Sequence, residues 1–83
     1  MSAILDNIVE NFYECEILIA DGFDDAVIGY EENSMRVIYS VSKCIDILME
    51  DDMNEIDALE YFSFNVSGAY VGDKTPIWCW DFF

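Results

Sequence analysis

The apolar residues at the start of the chain recur at helical spacing. One side of the predicted helix carries an apolar stripe, and acidic and amide residues fall on the other side. The stripe consists of Ile4, Ile8, Val9 and Phe12. Ser2 precedes it and belongs to a favoured class of N-cap residue. We therefore predict a short first helix, then a strand-like or irregular apolar segment over residues 15–20 and a turn at Asp21-Gly22.

Two runs of β-branched and aromatic residues follow. Residues 26–30 (AVIGY) and residues 35–39 (MRVIY) have the composition of β-strands. The polar tetrapeptide between them, residues 31–34 (EENS), has the length of a hairpin turn. This pattern predicts a β-hairpin.

Helical periodicity returns after the hairpin. Ser40 or Ser42 can cap a helix that runs to about Glu50, and Asn54 can cap a further helix that Gly72 would stop. The predicted buried stripes are Val41, Cys44, Ile45 and Leu48 on the first of these helices, and Ile56, Leu59, Phe62, Val66, Ala69 and Tyr70 on the second.

A short strand over residues 77–80 (IWCW) is predicted to close the chain, because Pro76 blocks a helix there. Strand alternation would place Trp78 and Trp80 on one face and Cys79 on the other. The order of elements predicts an α+β fold in a single domain, residues 1–83. In this fold a small antiparallel sheet, made of the hairpin and the C-terminal strand, packs against two to three helices.

Composition shows that the chain folds despite its charge. Of its 83 residues 54% are hydrophobic and 16% are aromatic, whereas disordered chains combine high charge with low hydrophobicity. A domain of this size has a small core. We therefore expect apolar surface to remain for a partner.

The charge balance limits the classes of partner. Eighteen acidic residues face three cations (Arg36, Lys43 and Lys74), which gives a formal net charge of −15. Every charged residue before Arg36 is an acid, and a second run without any base extends from Asp46 to Glu60. Nucleic acids and anionic membranes are bound through Lys and Arg. The composition therefore excludes direct binding to either.

The sequence offers no recognisable catalytic or cofactor chemistry. There is no His, no glycine-rich phosphate loop and no CxxC pair. The segment 21–25 (DGFDD) lacks the ligand spacing of an EF-hand. We predict a protein that is not an enzyme, with no catalytic residue, metal site or cofactor. Cys15, Cys44 and Cys79 are expected to be free buried thiols in a cytoplasmic protein, because their odd count is atypical of a disulfide framework and no signal-like leader or membrane span is seen.

The spacing of the acidic residues suggests a binding surface. Asp46 and Glu50 lie four residues apart on one predicted helix, and Asp57 and Glu60 lie three apart on the next, with no lysine interleaved. Such an array resembles a line of DNA phosphates and would attract the basic channel of a nucleic-acid-binding protein. The alternative is that these charges only solvate the surface. The predicted partner-binding residues are Asp24, Asp25, Glu31, Glu32, Asp46, Glu50, Asp51, Asp52, Glu55, Asp57 and Glu60.

Aromatic residues form a second candidate surface. Several lie off the predicted helical stripe or crowd the end of the chain, which suggests an apolar seam for a protein contact or a homodimer. The alternative is that alternate members fill the core. The predicted seam consists of Tyr61, Phe64, Trp80, Phe82 and Phe83.

Three segments resemble a family of small proteins encoded by tailed bacteriophages. They are residues 21–29 (DGFDDAVIG), 39–49 (YSVSKCIDILM) and 58–76 (ALEYFSFNVSGAYVGDKTP), and residues 1–20 look like an N-terminal helical extension that shorter relatives lack. The resemblance implies a phage origin and brings no activity or functional residue with it.

Small acidic phage proteins often block host defences or host enzymes. The predicted function is therefore non-catalytic inhibition or modulation of a host nucleic-acid-binding protein, in the host cell cytoplasm, through a DNA-mimic-like acidic surface. The alternative is a small phage structural or assembly protein that oligomerises through its aromatic C-terminus.

Overall fold

The computed structural model describes residues 2–12, 17–20, 22–68 and 72–83. Three α-helices, three strands and two shorter helical segments make up this part of the chain. They are α1 (Ala3–Asn11), a 3-10 turn (Asp24–Ala26), β1 (Val27–Glu31), β2 (Arg36–Ser40), α2 (Val41–Glu50), α3 (Glu55–Tyr61), a π-helix (Phe62–Ser67) and β3 (Ile77–Cys79). No helix in this part of the chain combines the length and the hydrophobicity needed to span a bilayer.

Helix α1 begins at the predicted cap and packs on β1. The Ser2 hydroxyl accepts a hydrogen bond from the Leu5 amide at 3.2 Å. Leu5 and Ile8 are buried in the core. The predicted stripe was wrong for Ile4 and Val9, which are each 42% exposed, because the helix meets the strand along its Leu5–Ile8 side.

Residues 2–12 and 17–20 are tied to the same core as the later elements. The ring of Phe12 stacks on Tyr30 of β1, with ring centroids 4.3 Å apart. The Ala20 amide donates to the hydroxyl of Tyr39 at 2.8 Å, which holds the irregular segment 17–20 against the sheet. The predicted turn residue Asp21 and residues 15 and 16 of the predicted apolar segment lie outside the described residues.

The three strands form a mixed sheet in the order β1-β2-β3. Strands β1 and β2 pair antiparallel with Tyr30 opposite Val37, so the predicted hairpin is confirmed. A bulge interrupts the pairing between Val27 and Gly29. The α+β class is also confirmed, but the sheet is not wholly antiparallel. Strand β3 runs parallel to β2, because the chain leaves the end of β2 into α2 and returns only after α3 and the π-helix.

Helix α2 directly follows β2, and Ser40, the last residue of the strand, is its N-cap. Two side chains, those of Ser40 and Asp81, accept hydrogen bonds from amides in its first turn. The Ser40 hydroxyl accepts from the Lys43 amide at 3.2 Å and donates to the carboxylate of Asp81. The Ser42 amide also donates to Asp81, at 3.0 Å. The Ser40 and Ser42 bonds hold the pKa of Asp81 below its ordinary value of 3.8. The predicted stripe is confirmed, since Val41, Cys44, Ile45 and Leu48 are all buried.

Helix α3 is capped by Asn54, as predicted, because its side-chain oxygen accepts from the Asp57 amide at 2.8 Å. The helix buries Ala58, and the adjoining π-helix buries Phe62. The stripe prediction was wrong for Ile56, which is 70% exposed, because α3 turns its Ala58 side toward the core. The predicted stripe residues Ala69 and Tyr70 lie outside the described residues.

The π-helix depends on a glycine at its end. A Cβ atom at Gly68 would lie 2.9 Å from the carbonyl oxygen of Ser63, closer than a real methyl group can approach. In a π-helix the hydrogen bonds reach from residue i to i+5, so the backbone of residue 63 faces residue 68 directly. Gly68 therefore permits the wide turn.

We expect Gly68→Ala to lower the free energy of unfolding by about 1–3 kcal/mol, because the added methyl group forces the backbone apart. Urea denaturation followed by circular dichroism measures this. Gly29→Ala is the matched control, since its Cβ would meet only Ile38 Cδ1 at 3.8 Å, an ordinary contact. Equal stability of the two variants would contradict the role given to Gly68.

Candidate protein-binding surface

The end of α2 and the turn that follows carry exposed carboxylates. Glu50 lies in the last turn of α2, and Asp51 is its C-cap residue. Asp52 adopts a left-handed conformation with φ of 70° at the next position, where glycine is the favoured residue. All three are exposed. A charged residue thus occupies a position whose left-handed backbone conformation favours glycine.

The fold brings part of the first acidic run to the same place. Asp24 and Asp25 of the 3-10 turn line an open groove of about 270 Å³ together with Gly22, Ile47 and Glu50. Asp24 and Glu50 are far apart in sequence, and packing of the 3-10 turn against α2 makes them neighbours. We call this region, made of Asp24, Asp25, Glu50, Asp51 and Asp52, the acidic corner.

Among the described residues, no cation neutralises the acidic corner. None of its carboxylates forms a hydrogen bond or an ion pair with another described residue. Two of the three cations are engaged where β2 and β3 begin: Arg36 donates to the carbonyl oxygens of Thr75 and Pro76, and Lys74 Nζ donates to Met35 Sδ at 3.2 Å. The third, Lys43, lies in the first turn of α2, at the other end of that helix from Glu50.

The charges of α2 oppose its macrodipole. The carboxyl end of a helix carries partial negative charge and favours cations, each by about 0.3–1 kcal/mol at an exposed position. In α2 this end bears Glu50 and Asp51 and no base, while Lys43 lies at the amino end. Helix α3 is arranged in the favourable sense, with Glu55 and Asp57 in its first turn. The acids of α2 therefore reduce the stability of the helix that holds them.

The two acidic residues of the hairpin have different roles. The carboxylate of Glu31 accepts from the Ser34 amide at 2.8 Å and from the Asn33 amide at 3.1 Å. These bonds hold the pKa of Glu31 below its ordinary value of 4.5, and the bond from the Ser34 amide has the largest effect. The charge of Arg36, opposite on β2, lowers the pKa by a smaller amount. Glu31 thus shapes the turn, whereas the Glu32 side chain is exposed and has no partner among the described residues.

Exposed apolar residues lie beside the acids of α3 and the π-helix. Ile56 is 70%, Tyr61 42% and Phe64 83% exposed, and Asp57 and Glu60 are also exposed on the same stretch. We call these five residues the α3 face. Tyr61 and Phe64 were predicted from the sequence, but Ile56 was assigned to the core. The apolar residues of this segment fit two alternative faces of a helix, and one of these leaves Ile56 exposed, so the sequence could have indicated its exposure.

The remaining aromatic residues of the predicted seam lie at the end of the chain. Trp80 meets the buried ring of Phe62 edge-on, with centroids 6.1 Å apart, and Phe82 lies 6.0 Å from Trp80. Trp80 and Phe82 are about half exposed, and Phe83 is fully exposed. Phe64 has no ring contact with any of them in the described part of the chain. The predicted seam therefore falls into two sets, one on the α3 face and one in the tail.

The thiols differ in their surroundings. Burial raises the pKa of Cys44 to about 12, and the nearby charge of Asp81 adds to this. Its thiol therefore stays protonated and unreactive at neutral pH. Cys79 is only half-buried, so the prediction of a buried thiol was wrong there, because β3 lies at the edge of the sheet. Cys15 lies outside the described residues.

Neither metal-binding groups nor similarity to known proteins assigns a function to the described residues. Within the described ranges, no three Asp, Glu or Cys side chains are grouped so that they could hold a metal ion. Comparison of the chain with protein-family models, curated proteins and solved structures finds no match. The bacteriophage resemblance thus stays a prediction from the segments quoted above.

Replacing Glu31 and Glu32 one at a time separates a structural carboxylate from a free one. Because the folded-state pKa of Glu31 lies below 4.5, its contribution to stability is present above that pH and is lost as the pH falls through the folded-state value. We expect Glu31→Gln to melt below Glu32→Gln at pH 7, and the difference to vanish in acid. Thermal melts between pH 7 and pH 3 measure it. A difference that does not change with pH would contradict this role.

Neutralising one acid on each of α2 and α3 tests the dipole argument. We expect Glu50→Gln to have a free energy of unfolding about 0.6–2 kcal/mol higher than that of Asp57→Asn, because neutralising Glu50 removes an unfavourable helix-dipole interaction and neutralising Asp57 removes a favourable one, each of about 0.3–1 kcal/mol. Both variants remove one negative charge, so the overall relief of repulsion is matched. Urea denaturation at low ionic strength gives the difference, which added salt should reduce. The reverse order would contradict the argument.

Proposed function

We propose that this chain is a non-catalytic protein that binds a basic surface on a host nucleic-acid-binding protein and inhibits or modulates it. The observation that carries the proposal is the acidic corner. Carboxylates from two separate segments meet there without any counter-ion from the described part of the chain. A basic partner would supply the missing counter-ions.

The energetic cost of these acids supports a role outside folding. Glu50 and Asp51 oppose the dipole of α2, and Asp52 occupies a left-handed position that suits glycine. Asp46 and Glu50, four residues apart on α2, are roughly 5–6 Å from each other and repel. Binding a basic surface offsets the electrostatic terms, because each of these carboxylates is then attracted across the interface.

The regular spacing favours a partner that ordinarily binds nucleic acid. Carboxylates on rigid helices, several ångströms apart and free of interleaved lysines, present a line of negative charge like that of a phosphate backbone. A channel lined with Lys and Arg to neutralise phosphates would attract them over a distance of about 10 Å at moderate salt. The bacteriophage resemblance suggests a host restriction, CRISPR or repair factor as the target, met in the host cell cytoplasm.

A second function rests on the aromatic tail. Trp80 and Phe82 are 47% and 50% exposed, and Phe83 is fully exposed. Apolar rings collected at one end of a chain are typical of an interface. In this alternative the chain is a small structural or assembly protein that forms oligomers through the tail. An apolar contact of this kind persists at high salt, whereas the electrostatic contact weakens steeply.

The test of the leading proposal is affinity capture from bacterial lysate at low and high salt, with mass spectrometry of the retained proteins. We expect nucleic-acid-binding proteins at low salt only. Reversing Asp46 and Glu50 to Lys, or Asp57 and Glu60 to Lys, should weaken capture roughly tenfold, since each surface charge pair contributes about 0.5–1 kcal/mol.

The matched control reverses Asp6 and Glu10 to Lys on α1, which have the same four-residue spacing and are likewise exposed. This control changes the net charge equally but leaves α2 and α3 intact. An equal loss in all three variants would show that only net charge matters. If no nucleic-acid-binding protein is retained at low salt, the proposal fails. Oligomers that persist at high salt and are lost in Phe82→Ala would favour the alternative.

A further inference from the structure

The acidic corner gives no reason for the exposure of the apolar residues on the α3 face, Ile56, Tyr61 and Phe64. Ile56 and Phe64 are the two most exposed large apolar side chains of the described residues apart from Phe83. Single exposed apolar residues are common on soluble proteins, but these two and Tyr61 lie on one continuous helical stretch of thirteen residues, Glu55–Ser67. Their grouping requires its own explanation.

The backbone aligns these side chains in a row. Residues four apart lie on neighbouring turns of a helix, so Ile56, Glu60 and Phe64 follow one another along the surface. In an α-helix this row drifts round the axis. The π-helix takes more residues for each turn, because its hydrogen bonds reach i+5, so Phe64 rotates less far from Ile56 than it would in an α-helix. The turn permitted by Gly68 thus keeps Phe64 near the row that Ile56 begins.

A row at four-residue spacing is the ridge with which one helix packs against another. Its charge decides what kind of helix can pack there. Glu60 lies in the row between Ile56 and Phe64, and Asp57 lies beside it. The chain has no basic residue between Lys43 and Lys74. A complementary helix would place apolar residues on the ridge and Lys or Arg beside them, the arrangement by which amphipathic helices dock on acidic apolar surfaces.

We propose that the α3 face docks a basic amphipathic helix of the partner protein, with Phe64 as its apolar anchor. This inference rests on the proposed function and adds the part of the partner that is recognised. The acidic corner attracts the partner from a distance, and the α3 face selects a helix with an apolar stripe. Aromatic side chains that insert at the centre of an interface commonly contribute most of its affinity.

The same charges disfavour two other occupants of the α3 face. A second copy of the chain would bring Asp57 and Glu60 against identical carboxylates, and like charges across an interface are strongly unfavourable. An anionic membrane surface would repel them for the same reason. A basic helix meets no such repulsion.

The test uses two synthetic peptides of identical Leu and Lys composition. Each is about 20 residues long, since shorter peptides form only marginal helices. One has Leu at positions i, i+3, i+4 and i+7, and the other has the same residues scrambled so that no apolar stripe forms. Calorimetry at low and moderate salt measures their binding to the full chain. We expect the patterned peptide to bind at least tenfold more tightly than the scrambled one, with a larger advantage at moderate salt.

Two protein variants locate the contact. Phe64→Ala should lose tenfold or more of the affinity for the patterned peptide and keep its affinity for the scrambled peptide. Its side chain is 83% exposed, so the fold should be unchanged, which circular dichroism checks. Phe83→Ala is the matched control, because it removes a fully exposed ring from the tail and should leave both affinities unchanged.

Equal binding of the two peptides, or an undiminished affinity of Phe64→Ala, would overturn the inference. So would a concentration-dependent dimer, seen in sedimentation, that is lost in Phe64→Ala, because a second copy would then occupy the face. None of these outcomes bears on the acidic corner. The proposed function is decided separately, by capture from lysate with the charge reversal on α2 and its control on α1.

Discussion

The side chain of Tyr39 joins three distant parts of the chain. Its ring is fully buried and packs against Trp78 of β3 with centroids 5.0 Å apart, and its hydroxyl accepts the Ala20 amide from the segment before the hairpin. Strand β2, which carries it, pairs with both other strands. The residue after it, Ser40, ends the strand, caps α2 and binds Asp81 of the tail. Strands β1 and β3 and helix α2 are therefore placed by their contacts with β2.

The core around β2 is apolar, so the eighteen carboxylates must lie elsewhere. A few are used by the fold: Glu31 shapes the hairpin turn, and Asp81 ties the tail to α2. The others among the described residues are exposed or partly exposed, and two of the basic residues, Arg36 and Lys74, are engaged where β2 and β3 begin. The acidic corner thus keeps a strong negative field that no cation of the described residues neutralises. A field of this kind acts on partners through attraction and association rate more than through tight contact.

The α3 face adds selection by shape to the electrostatic attraction of the acidic corner. Electrostatic attraction selects partners by sign, whereas a row of apolar side chains selects them by shape as well. Phe64 lies near Ile56, Asp57 and Glu60 because a π-helix continues α3, and Gly68 permits that π-helix since a Cβ there would meet the carbonyl oxygen of Ser63. The charged and the apolar candidate residues, which looked like separate surfaces in the sequence, thus meet on one helical stretch.

Features that depend on neighbouring residues could be predicted from the sequence. The caps at Ser2, Ser40 and Asn54 each involve a hydrogen bond to an amide three residues on, and the hairpin needs only two strand-forming runs and a short polar turn. The buried stripe of α2 could be predicted because four of its apolar residues, Val41, Cys44, Ile45 and Leu48, match a single face of the helix. The excess of acid and the lack of histidine are likewise properties of the sequence alone.

Several features were decided only by the tertiary structure, because they depend on contacts between distant segments. The parallel direction of β3 follows from where the crossover returns, and the exposure of Ile56 follows from which side of α3 meets the core. The approach of Asp24 to Glu50 and the use of Glu31 in the turn depend on backbone geometry. The sequence by itself determined that the surface is acidic. Packing determined which of its acids meet in one place, because burial of the apolar side chains fixes the elements that carry them.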